Sequence, residues 1–265
     1  MNDRRPVVFI HGLWLHARSW KDWIDLFDQT GYEPTAPGWP GDRQTVEETR
    51  ANPESLANHG IDDVVEHYAE IISGLRLKPI LVGHSFGGMI AQKLLGQNLG
   101  EAAIAIDAAQ IKGVLPVPLS ALRSALPVFK NPTNSHKAVS FTVEQFRYAF
   151  ANAVSDEESL QLFERWSIPA PGKPLFEAAL ANFDPHSPAK VDTANEMRGP
   201  LLLITGGRDH TVPEAVTRAT LKQYRHSDAV TDFMEFPDRG HSLTIDHGWR
   251  DVAEACLSWL KQQSL

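Results

Sequence analysis

The segment that most constrains this chain is residues 83–87, Gly-His-Ser-Phe-Gly, a G-x-S-x-G motif with a further glycine behind it. A short apolar run, residues 79–82, precedes the motif, and a helical pattern over residues 89–95 follows it. The serine is therefore expected where a buried strand turns sharply into a helix. Such a turn strains the backbone and brings strand and helix close together, so side chains at Gly83 and Gly87 would clash. The alternative is an ordinary strand-to-helix turn, because the motif also arises by chance.

Bulk composition limits the classes of partner. The chain has 265 residues, of which 42% are hydrophobic and 22% charged, as expected for one α/β domain with a large core. Its net charge of −8 and the absence of a run of Lys or Arg argue against nucleic acid or an anionic membrane as the main partner. The apolar run at residues 7–10 is too short for a signal-peptide core or a membrane span, so we expect a cytoplasmic protein. The sequence carries no signal of oligomeric state.

Cysteine usage excludes an internal disulfide and favours no metal site. Cys256 is the single cysteine, and it lies in a helical pattern of apolar residues near the C-terminus. A buried structural thiol is therefore expected there, with a nucleophile as the alternative. Cys and His residues do not have the spacing of metal ligands. We expect no metal and no organic cofactor.

Apolar runs alternate with helical patterns along the chain, which predicts a doubly wound, mostly parallel sheet. The strand candidates are residues 7–10, 32–36, 79–82, 102–106, 200–205 and 233–236. Residues 42–61 are acidic and lack clear periodicity, so they are predicted to be a surface excursion, with or without a short helix. A capping box, Thr211–Glu214, predicts that a helix begins shortly after the fifth strand.

The segment from about residue 108 to 195 differs in character from the rest, because prolines separate short amphipathic stretches there. It falls between two strand candidates, which predicts a helical lid over the strand ends, where such sheets bind ligands. A helical layer without a gating role is the alternative. We therefore divide the chain into a first part of the core, residues 1–107, a lid, residues 108–195, and a second part of the core, residues 196–265.

Three residues suited to nucleophilic catalysis, Ser85, Asp209 and His241, each follow a different strand candidate. Because the carboxyl ends of parallel strands meet at one edge of a sheet, we expect these side chains to lie together. A serine hydroxyl is a poor nucleophile at neutral pH, and His241 would take its proton during attack and return it to the leaving group. Asp209 would hold the imidazole in one tautomer and stabilise the imidazolium.

Two other aspartates compete with Asp209 for the role of the acid. Asp107 follows the strand candidate at residues 102–106, and it remains the alternative; the Gly-Gly-Arg sequence before Asp209 favours the latter. Asp238 lies too near His241 along the chain to be a first choice. Loop-bracing or surface positions are expected for the other candidate histidines, which are His11, His84, His210 and His247.

Four short motifs carry a resemblance to a known family: residues 11–12 (His-Gly), 83–88 (Gly-His-Ser-Phe-Gly-Gly), 207–209 (Gly-Arg-Asp) and 240–241 (Gly-His). Together they resemble the α/β-hydrolase superfamily, whose triad has the same Ser, Asp, His order along the chain. The resemblance spans residues 7–260. The first strand begins near residue 7, without the usual preceding hairpin, as in the small branch of plant esterases and hydroxynitrile lyases. This implies a sheet of about six strands.

The resemblance also implies a reaction. It favours a serine hydrolase that cleaves a carboxylic ester, thioester or lactone through an acyl-enzyme, with an oxyanion hole formed by the backbone N–H groups of Leu13 and Phe86. Cofactor-free perhydrolysis, haloperoxidation, dioxygenation or cyanohydrin cleavage on the same scaffold are alternatives. The resemblance implies that lyases of this branch have threonine at the position of Gly12 and lysine at the position of Ser242. The residues found here therefore argue against cyanohydrin cleavage. Epoxide hydrolases and haloalkane dehalogenases need aspartate in place of Ser85. A non-catalytic small-molecule receptor is the third reading, because such receptors can retain the triad.

The lid is expected to determine the substrate. We expect a small molecule with an apolar acyl or aromatic group, since no basic cluster suggests a phosphorylated one. Core packing explains the aromatic residues of this region equally well. The candidate pocket residues are Trp14, Phe86, Phe146, Phe150 and Trp166.

Overall fold

A computed structural model of the protein describes residues 4–115 and 118–265. Within these ranges the strands are β1 (Pro6–Ile10), β2 (Glu33–Thr35), β3 (Ile80–His84), β4 (Ala102–Ile106), β5 (Ala138–Val139), β6 (Ala170–Pro171), β7 (Leu201–Gly206) and β8 (Thr231–Phe236). The α-helices are α1 (Lys21–Gln29), α2 (Val46–Ala51), α3 (Ile61–Ser73), α4 (Phe86–Gly96), α5 (Leu119–Phe129), α6 (Val143–Ala149), α7 (Asp156–Trp166), α8 (Lys173–Leu180), α9 (Glu214–Gln223) and α10 (Trp249–Gln262). Short 3-10 helices lie at Ala17–Trp20, Pro53–Leu56, Pro132–His136 and Tyr224–His226.

Six of these strands form one parallel sheet in the order β2-β1-β3-β4-β7-β8. The inner strands β1, β3, β4 and β7 are buried along their whole length, because helices cover both faces. Alternate residues of β1 enter different cores: Val7 and Phe9 pack with α1 and α10, whereas Val8 and Ile10 pack with α3 and α4. The predicted doubly wound, mostly parallel sheet of about six strands is confirmed.

Element bounds agree with the sequence pattern where the pattern is long. Strand β4 has the predicted bounds, β2 is shorter than predicted, and β8 begins two residues earlier. The segment 42–61 contains α2, which is only six residues long and therefore shows no periodicity. A reciprocal capping box starts this helix: the Thr45 hydroxyl accepts a hydrogen bond from the N–H of Glu48, and the Glu48 carboxylate accepts one from the N–H of Thr45.

An aromatic cluster joins the sheet to α1. The ring centroids of Trp23 and Phe27 lie 6.0 and 5.2 Å from that of Phe9. Trp23 is fully buried, and its indole N–H donates a hydrogen bond of 2.8 Å to the backbone oxygen of Thr244. Cys256 of α10 is buried in the same core, and burial raises the pKa of its thiol. This environment matches the structural thiol predicted from the sequence.

The chain between β4 and β7 is helical, with α5, α6, α7 and α8 joined by the short antiparallel pair β5 and β6. Helix α5 packs with α6 and α8, and α6 packs with α7. None of the helices in the described ranges is both long and apolar enough to cross a bilayer.

Helices α7 and α8 are hydrogen-bonded to the core beside α2 and α3. The guanidinium of Arg50, at the end of α2, donates hydrogen bonds to carbonyl oxygens at the end of α7, those of Phe163, Glu164 and Ser167. The Glu177 carboxylate of α8 accepts a hydrogen bond of 2.7 Å from the N–H of Ile61. Charge-assisted bonds of this kind are stronger than neutral ones, so α7 and α8 are held firmly on this side.

Candidate active site

Ser85 lies at a strained turn between β3 and α4. Its φ and ψ angles are 57° and −123°, a conformation that a residue with a side chain rarely adopts. A Cβ atom added to Gly83 would lie 2.1 Å from the oxygen of Gly87, and one added to Gly87 would lie 2.1 Å from the oxygen of Ile10. The clash predicted for both positions is therefore confirmed. The Ser85 N–H also donates a hydrogen bond of 2.9 Å to the oxygen of Ile106, which ties the turn to β4.

Two backbone N–H groups were predicted to form the oxyanion hole. Phe86 is the first residue of α4, so its N–H has no carbonyl partner within the helix. Leu13 is buried in the turn that follows β1. A Cβ atom added to Gly12 would lie 2.6 Å from the Cβ atom of Ser85, which shows that this turn packs directly against the serine. The assignment of Leu13 and Phe86 remains a prediction.

His241 and Asp209 form a buried pair at the ends of β8 and β7. Nδ1 of His241 lies 2.5 Å from Oδ2 of Asp209, and both side chains are fully buried. The other carboxylate oxygen accepts hydrogen bonds from the N–H groups of Thr211, at 2.6 Å, and Val212, at 2.8 Å. The capping box predicted at Thr211–Glu214 is wrong, because α9 begins only at Glu214 and these N–H groups contact Asp209 instead.

The contacts of His241 define its tautomer. Since Asp209 accepts the hydrogen of Nδ1, the neutral imidazole has its lone pair on Nε2. Nε2 is buried and has no hydrogen-bond partner among the described residues. The ring is held edge-on by Phe150, with a centroid distance of 4.8 Å. This nitrogen can therefore accept a proton.

Asp107, the alternative acid, lies beside the pair but contacts it less closely. Its Oδ2 atom is 3.9 Å from Nδ1 of His241, and its Oδ1 atom accepts a hydrogen bond of 2.7 Å from the N–H of Gly206. Burial raises the pKa of the Asp107 carboxyl well above its usual range, and the neighbouring Asp209 carboxylate adds to the rise. Asp238 is exposed and pairs with Arg208. The geometry therefore favours Asp209 as the partner of His241.

The other four candidate histidines contact backbone or carboxylate oxygens close to them. Nε2 of His84 donates a hydrogen bond of 2.9 Å to the oxygen of His241. Burial, and next the neighbouring His241, holds the pKa of His84 well below its usual value, so this ring is neutral. Nδ1 of His11 donates to the oxygen of Gly12 at 2.9 Å, and its Nε2 lies 3.0 Å from the Asp42 carboxylate. Nδ1 of His210 lies 3.1 Å from the backbone oxygen of Tyr148, and Nδ1 of His247 lies 3.0 Å from the carboxylate of Glu158.

Potential metal-binding atoms of His84, Asp107 and His241 all lie within 4.8 Å of one another. Nδ1 of His241 is bonded to Asp209 and Nε2 of His84 to a backbone oxygen, whereas Nε2 of His241, Nδ1 of His84 and Oδ2 of Asp107 have no hydrogen-bond partner among the described residues. We assign no metal to this group.

A cavity of about 240 Å³ opens beside Ser85, and no charged side chain lines it. Trp14 and Phe150 contribute to its wall, and Trp14 stacks on Phe141 with a centroid distance of 3.9 Å. The polar residues of the wall are Ser85, Gln110, Ser124 and Thr211. The remaining apolar residues come mainly from α5, α8 and α9, and include Ala121, Leu122, Ala125, Leu175, Ala178 and Val216.

Only some of the predicted pocket residues line this cavity. Phe86 lines the cavity, but Phe146 lies behind the wall, stacked on Phe150 at 5.0 Å. Trp166 lies at a separate groove beside His16. Phe146 and Trp166 are predicted as pocket walls, but neither lines the cavity beside Ser85. The sequence analysis did not identify the alanines of α5 and α8 as cavity residues. Their helical spacing is the same whether they face a cavity or the core.

Comparisons with solved structures agree with this fold. An extracellular alpha/beta-hydrolase from a Paenibacillus species has a TM-score of 0.71 at 19% identity, covering 96% of this chain and 98% of that one. A monoacylglycerol lipase from Paleococcus ferrophilus has a TM-score of 0.68 at 21% identity, covering 97% and 94%. A methylesterase from Arabidopsis has a TM-score of 0.65 at 17% identity, covering 97% and 99%. At these identities the likeness shows the fold.

Comparisons at the sequence level match different portions of this chain. A curated protein of Escherichia coli (strain K12), named "Putative carboxymethylenebutenolidase", is 26% identical over 83 residues. That match covers 27% of this chain and 29% of the curated protein, less than a third of its length. A sequence model of the Alpha/beta hydrolase family matches residues 7–255, nearly the whole chain. The chain therefore belongs to the alpha/beta hydrolase family.

Proposed function

We propose that the protein is a serine hydrolase that cleaves a carboxylic ester, thioester or lactone, with Ser85 as nucleophile, His241 as general base and Asp209 as the acid of a triad. The observation that carries the proposal is the buried contact between His241 and Asp209, which leaves Nε2 of His241 without a partner among the described residues. The strained turn at Ser85 and the cavity beside it support the same function.

The first half of the reaction forms an acyl-enzyme. As Oγ of Ser85 attacks the carbonyl carbon, Nε2 of His241 takes the hydroxyl proton. Asp209 stabilises the imidazolium that results. The carbonyl oxygen becomes an oxyanion and accepts hydrogen bonds from the N–H groups of Leu13 and Phe86, each worth about 3 kcal/mol in the transition state. The intermediate collapses when the bond to the leaving group breaks and His241 returns its proton to that group.

The second half releases the acid and restores the enzyme. A water molecule gives a proton to Nε2 of His241 while its oxygen attacks the acyl carbon. The bond from that carbon to Oγ of Ser85 then breaks, and His241 returns the proton to the serine. Protons and bonds balance over the two halves, so the reaction needs no cofactor.

The substrate class follows from the cavity. Because no charged side chain lines its wall, a charged acyl group would lose its hydration without compensation. We propose a small neutral molecule with an apolar acyl or aromatic group. The similarity to structures described as a methylesterase and a monoacylglycerol lipase is consistent with ester chemistry.

We propose that residues 108–195 act as the lid of the site, between core parts formed by residues 1–107 and 196–265. Helices α5 and α8 of this segment supply much of the cavity wall. Substrate preference would then depend mainly on the lid, whereas the chemistry would depend on the loops of the core.

Hydrolysis of a series of p-nitrophenyl esters from acetate to laurate tests the proposal. Ser85→Ala is expected to reduce turnover about a thousandfold or more, because it removes the nucleophile. Ser159→Ala is the matched control, since Ser159 is also buried but lies on α7 and has no hydrogen-bond partner for its hydroxyl among the described residues. If the native protein hydrolyses no ester faster than Ser85→Ala does, the proposal is wrong, and tight retention of a small ligand without turnover would favour a receptor.

A further inference from the structure

Asp107 has a setting that the proposed triad does not explain. It directly follows β4, its side chain is fully buried, and its backbone has a positive φ angle of 42°. Its N–H donates to the oxygen of Ile204 in β7, at 2.8 Å, and its Oδ1 accepts from the N–H of Gly206, at 2.7 Å. The carboxyl group is therefore held against the end of the strand that precedes the Asp209 loop.

The second oxygen of Asp107 is unsatisfied if the group is ionised. A carboxylate oxygen can only accept hydrogen bonds, and Oδ2 finds no N–H or O–H donor among the described residues. A buried acceptor without a donor is costly, and a buried charge costs more. If Oδ2 carries a proton, it becomes a donor, and the Asp209 carboxylate is the nearby acceptor, because Oδ2 of Asp107 and Oδ2 of Asp209 lie 3.9 and 2.5 Å from the same atom, Nδ1 of His241.

We propose that Asp107 is a neutral acid in the working enzyme and donates a hydrogen bond from Oδ2 to the carboxylate of Asp209, as a positioning residue for the contact between Asp209 and His241. Asp209 already accepts hydrogen bonds from Thr211, Val212 and His241. A carboxylate offers about four acceptor sites. The hydrogen bond from Asp107 completes this set and so restrains the position of the carboxylate.

The groups that face Asp107 agree with a single negative charge at this place. They are Asp209, His241 and His84. His84 is neutral, and Nδ1 of His241 is bonded to Asp209 at 2.5 Å but lies 3.9 Å from Asp107, so neither ring gives Asp107 a close ionic partner that could compensate a second carboxylate. Two carboxylates that share a site disfavour each other's ionisation, and Asp209 has more donors to support its charge.

Infrared spectroscopy tests the protonation directly and does not depend on activity. A difference spectrum between unlabelled protein and protein labelled with ¹³C at the aspartate side-chain carboxyl isolates these groups. We expect a C=O band of a protonated carboxyl at pH 7 in the native protein, lost in Asp107→Asn and retained in Asp232→Asn. Asp232 is a suitable control because it lies in β8 and bonds to Trp259. Absence of the band from the native protein at pH 7 overturns the proposal, whether or not Asp107→Asn folds.

The pH profile of kcat/KM tests the same point through catalysis, and this arm rests on the proposed triad. Asparagine has nearly the same shape as aspartate and also tolerates a positive φ angle. If Asp107 is neutral, Asp107→Asn changes no charge. The midpoint of the acid limb, which is the fall of kcat/KM at low pH, then stays within about 0.3 pH unit of its position in the native protein. If Asp107 is ionised, its loss removes a negative charge 3.9 Å from Nδ1 of His241, disfavours the imidazolium, and moves the limb down by about 1 unit or more. That result overturns the proposal.

The two proposals fail in different ways. An infrared band together with full activity of Ser85→Ala would refute the serine mechanism and still support a neutral Asp107. Loss of activity in Ser85→Ala without an infrared band would support the serine mechanism and refute the neutral Asp107.

Discussion

Nδ1 of His241 lies 2.5 Å from Oδ2 of Asp209, although the two residues are 32 positions apart in the chain. Asp209→Asn would present an amide N–H to Nδ1 and so reverse the tautomer of the imidazole. We expect kcat to fall by roughly 10⁴-fold with little change in folding. Asp238→Asn, in a loop aspartate that is 84% exposed, is the control and should retain native activity. Steady-state kinetics on the best p-nitrophenyl ester would decide, and an Asp209→Asn variant with more than a tenth of native kcat would contradict the assignment.

Ala125 of α5 lines the cavity, so a larger side chain there should shorten the acyl group that fits. We expect Ala125→Leu to lower kcat/KM for laurate by about tenfold or more, because overpacking costs 1–3 kcal/mol, and to leave acetate nearly unchanged. Ala51→Leu, at an exposed position at the end of α2, provides the matched control. Equal loss for both esters would show that the substitution disturbs the site rather than the acyl pocket.

Trp23 connects α1 to the loop that carries His241, through its hydrogen bond to Thr244. Trp23→Phe keeps an aromatic ring in the core but leaves the oxygen of Thr244 without its donor, so the free energy of unfolding should fall by about 1–3 kcal/mol. Trp23→Ala also leaves a cavity and should cost about 3–5 kcal/mol. Urea unfolding followed by circular dichroism would measure both values. A Trp23→Phe variant as stable as the native protein would mean that the hydrogen bond contributes nothing.

His84 should make the protein sensitive to acid. Its pKa is lowered in the folded protein from an ordinary value of 6.5, so both states are neutral above that pH and His84 contributes no pH dependence there. Below about pH 6.5 the unfolded chain binds a proton that the folded protein excludes, and the free energy of unfolding falls by up to about 1.4 kcal/mol per pH unit. In His84→Gln this term is absent, so the stability advantage of the native protein over the variant should shrink as the pH falls. Urea titrations of both proteins between pH 5 and pH 7.5 test this, and a constant difference would contradict it.

The sheet could be predicted from the sequence because its causes are local. Buried parallel strands require unbroken apolar runs, and the turn at Ser85 requires small residues at Gly83 and Gly87, where a Cβ atom would meet backbone oxygens at 2.1 Å. The positions of Asp209 and His241 after separate strands were visible for the same reason. Their roles in catalysis are still a proposal.

What the sequence did not reveal depends on contacts between distant elements. Thr211 and Glu214 have the pattern of a capping box, but the carboxylate of Asp209 takes the backbone donors that the pattern assigns to the helix. The sequence names both Asp107 and Asp209 as candidate partners of His241, but it does not show which is nearer. That depends on the registers of β4 with β7 and of β7 with β8, which leave Asp107 at 3.9 Å and Asp209 at 2.5 Å from Nδ1 of His241. The alanines of the cavity wall likewise became apparent only from the packing of α5 against α8.

The hydrogen bonds of Arg50 to the end of α7 divide the proposed lid into two regions with different freedom to vary. Helices α7 and α8 are bonded to the core beside α2 and α3. Helix α5 is placed by packing with α6 and α8, yet it contributes Leu122 and Ala125 to the cavity. For the proposed acyl pocket, we therefore expect substitutions on α5 to change the preferred acyl group while the hydrogen bonds that hold α7 and α8 stay intact.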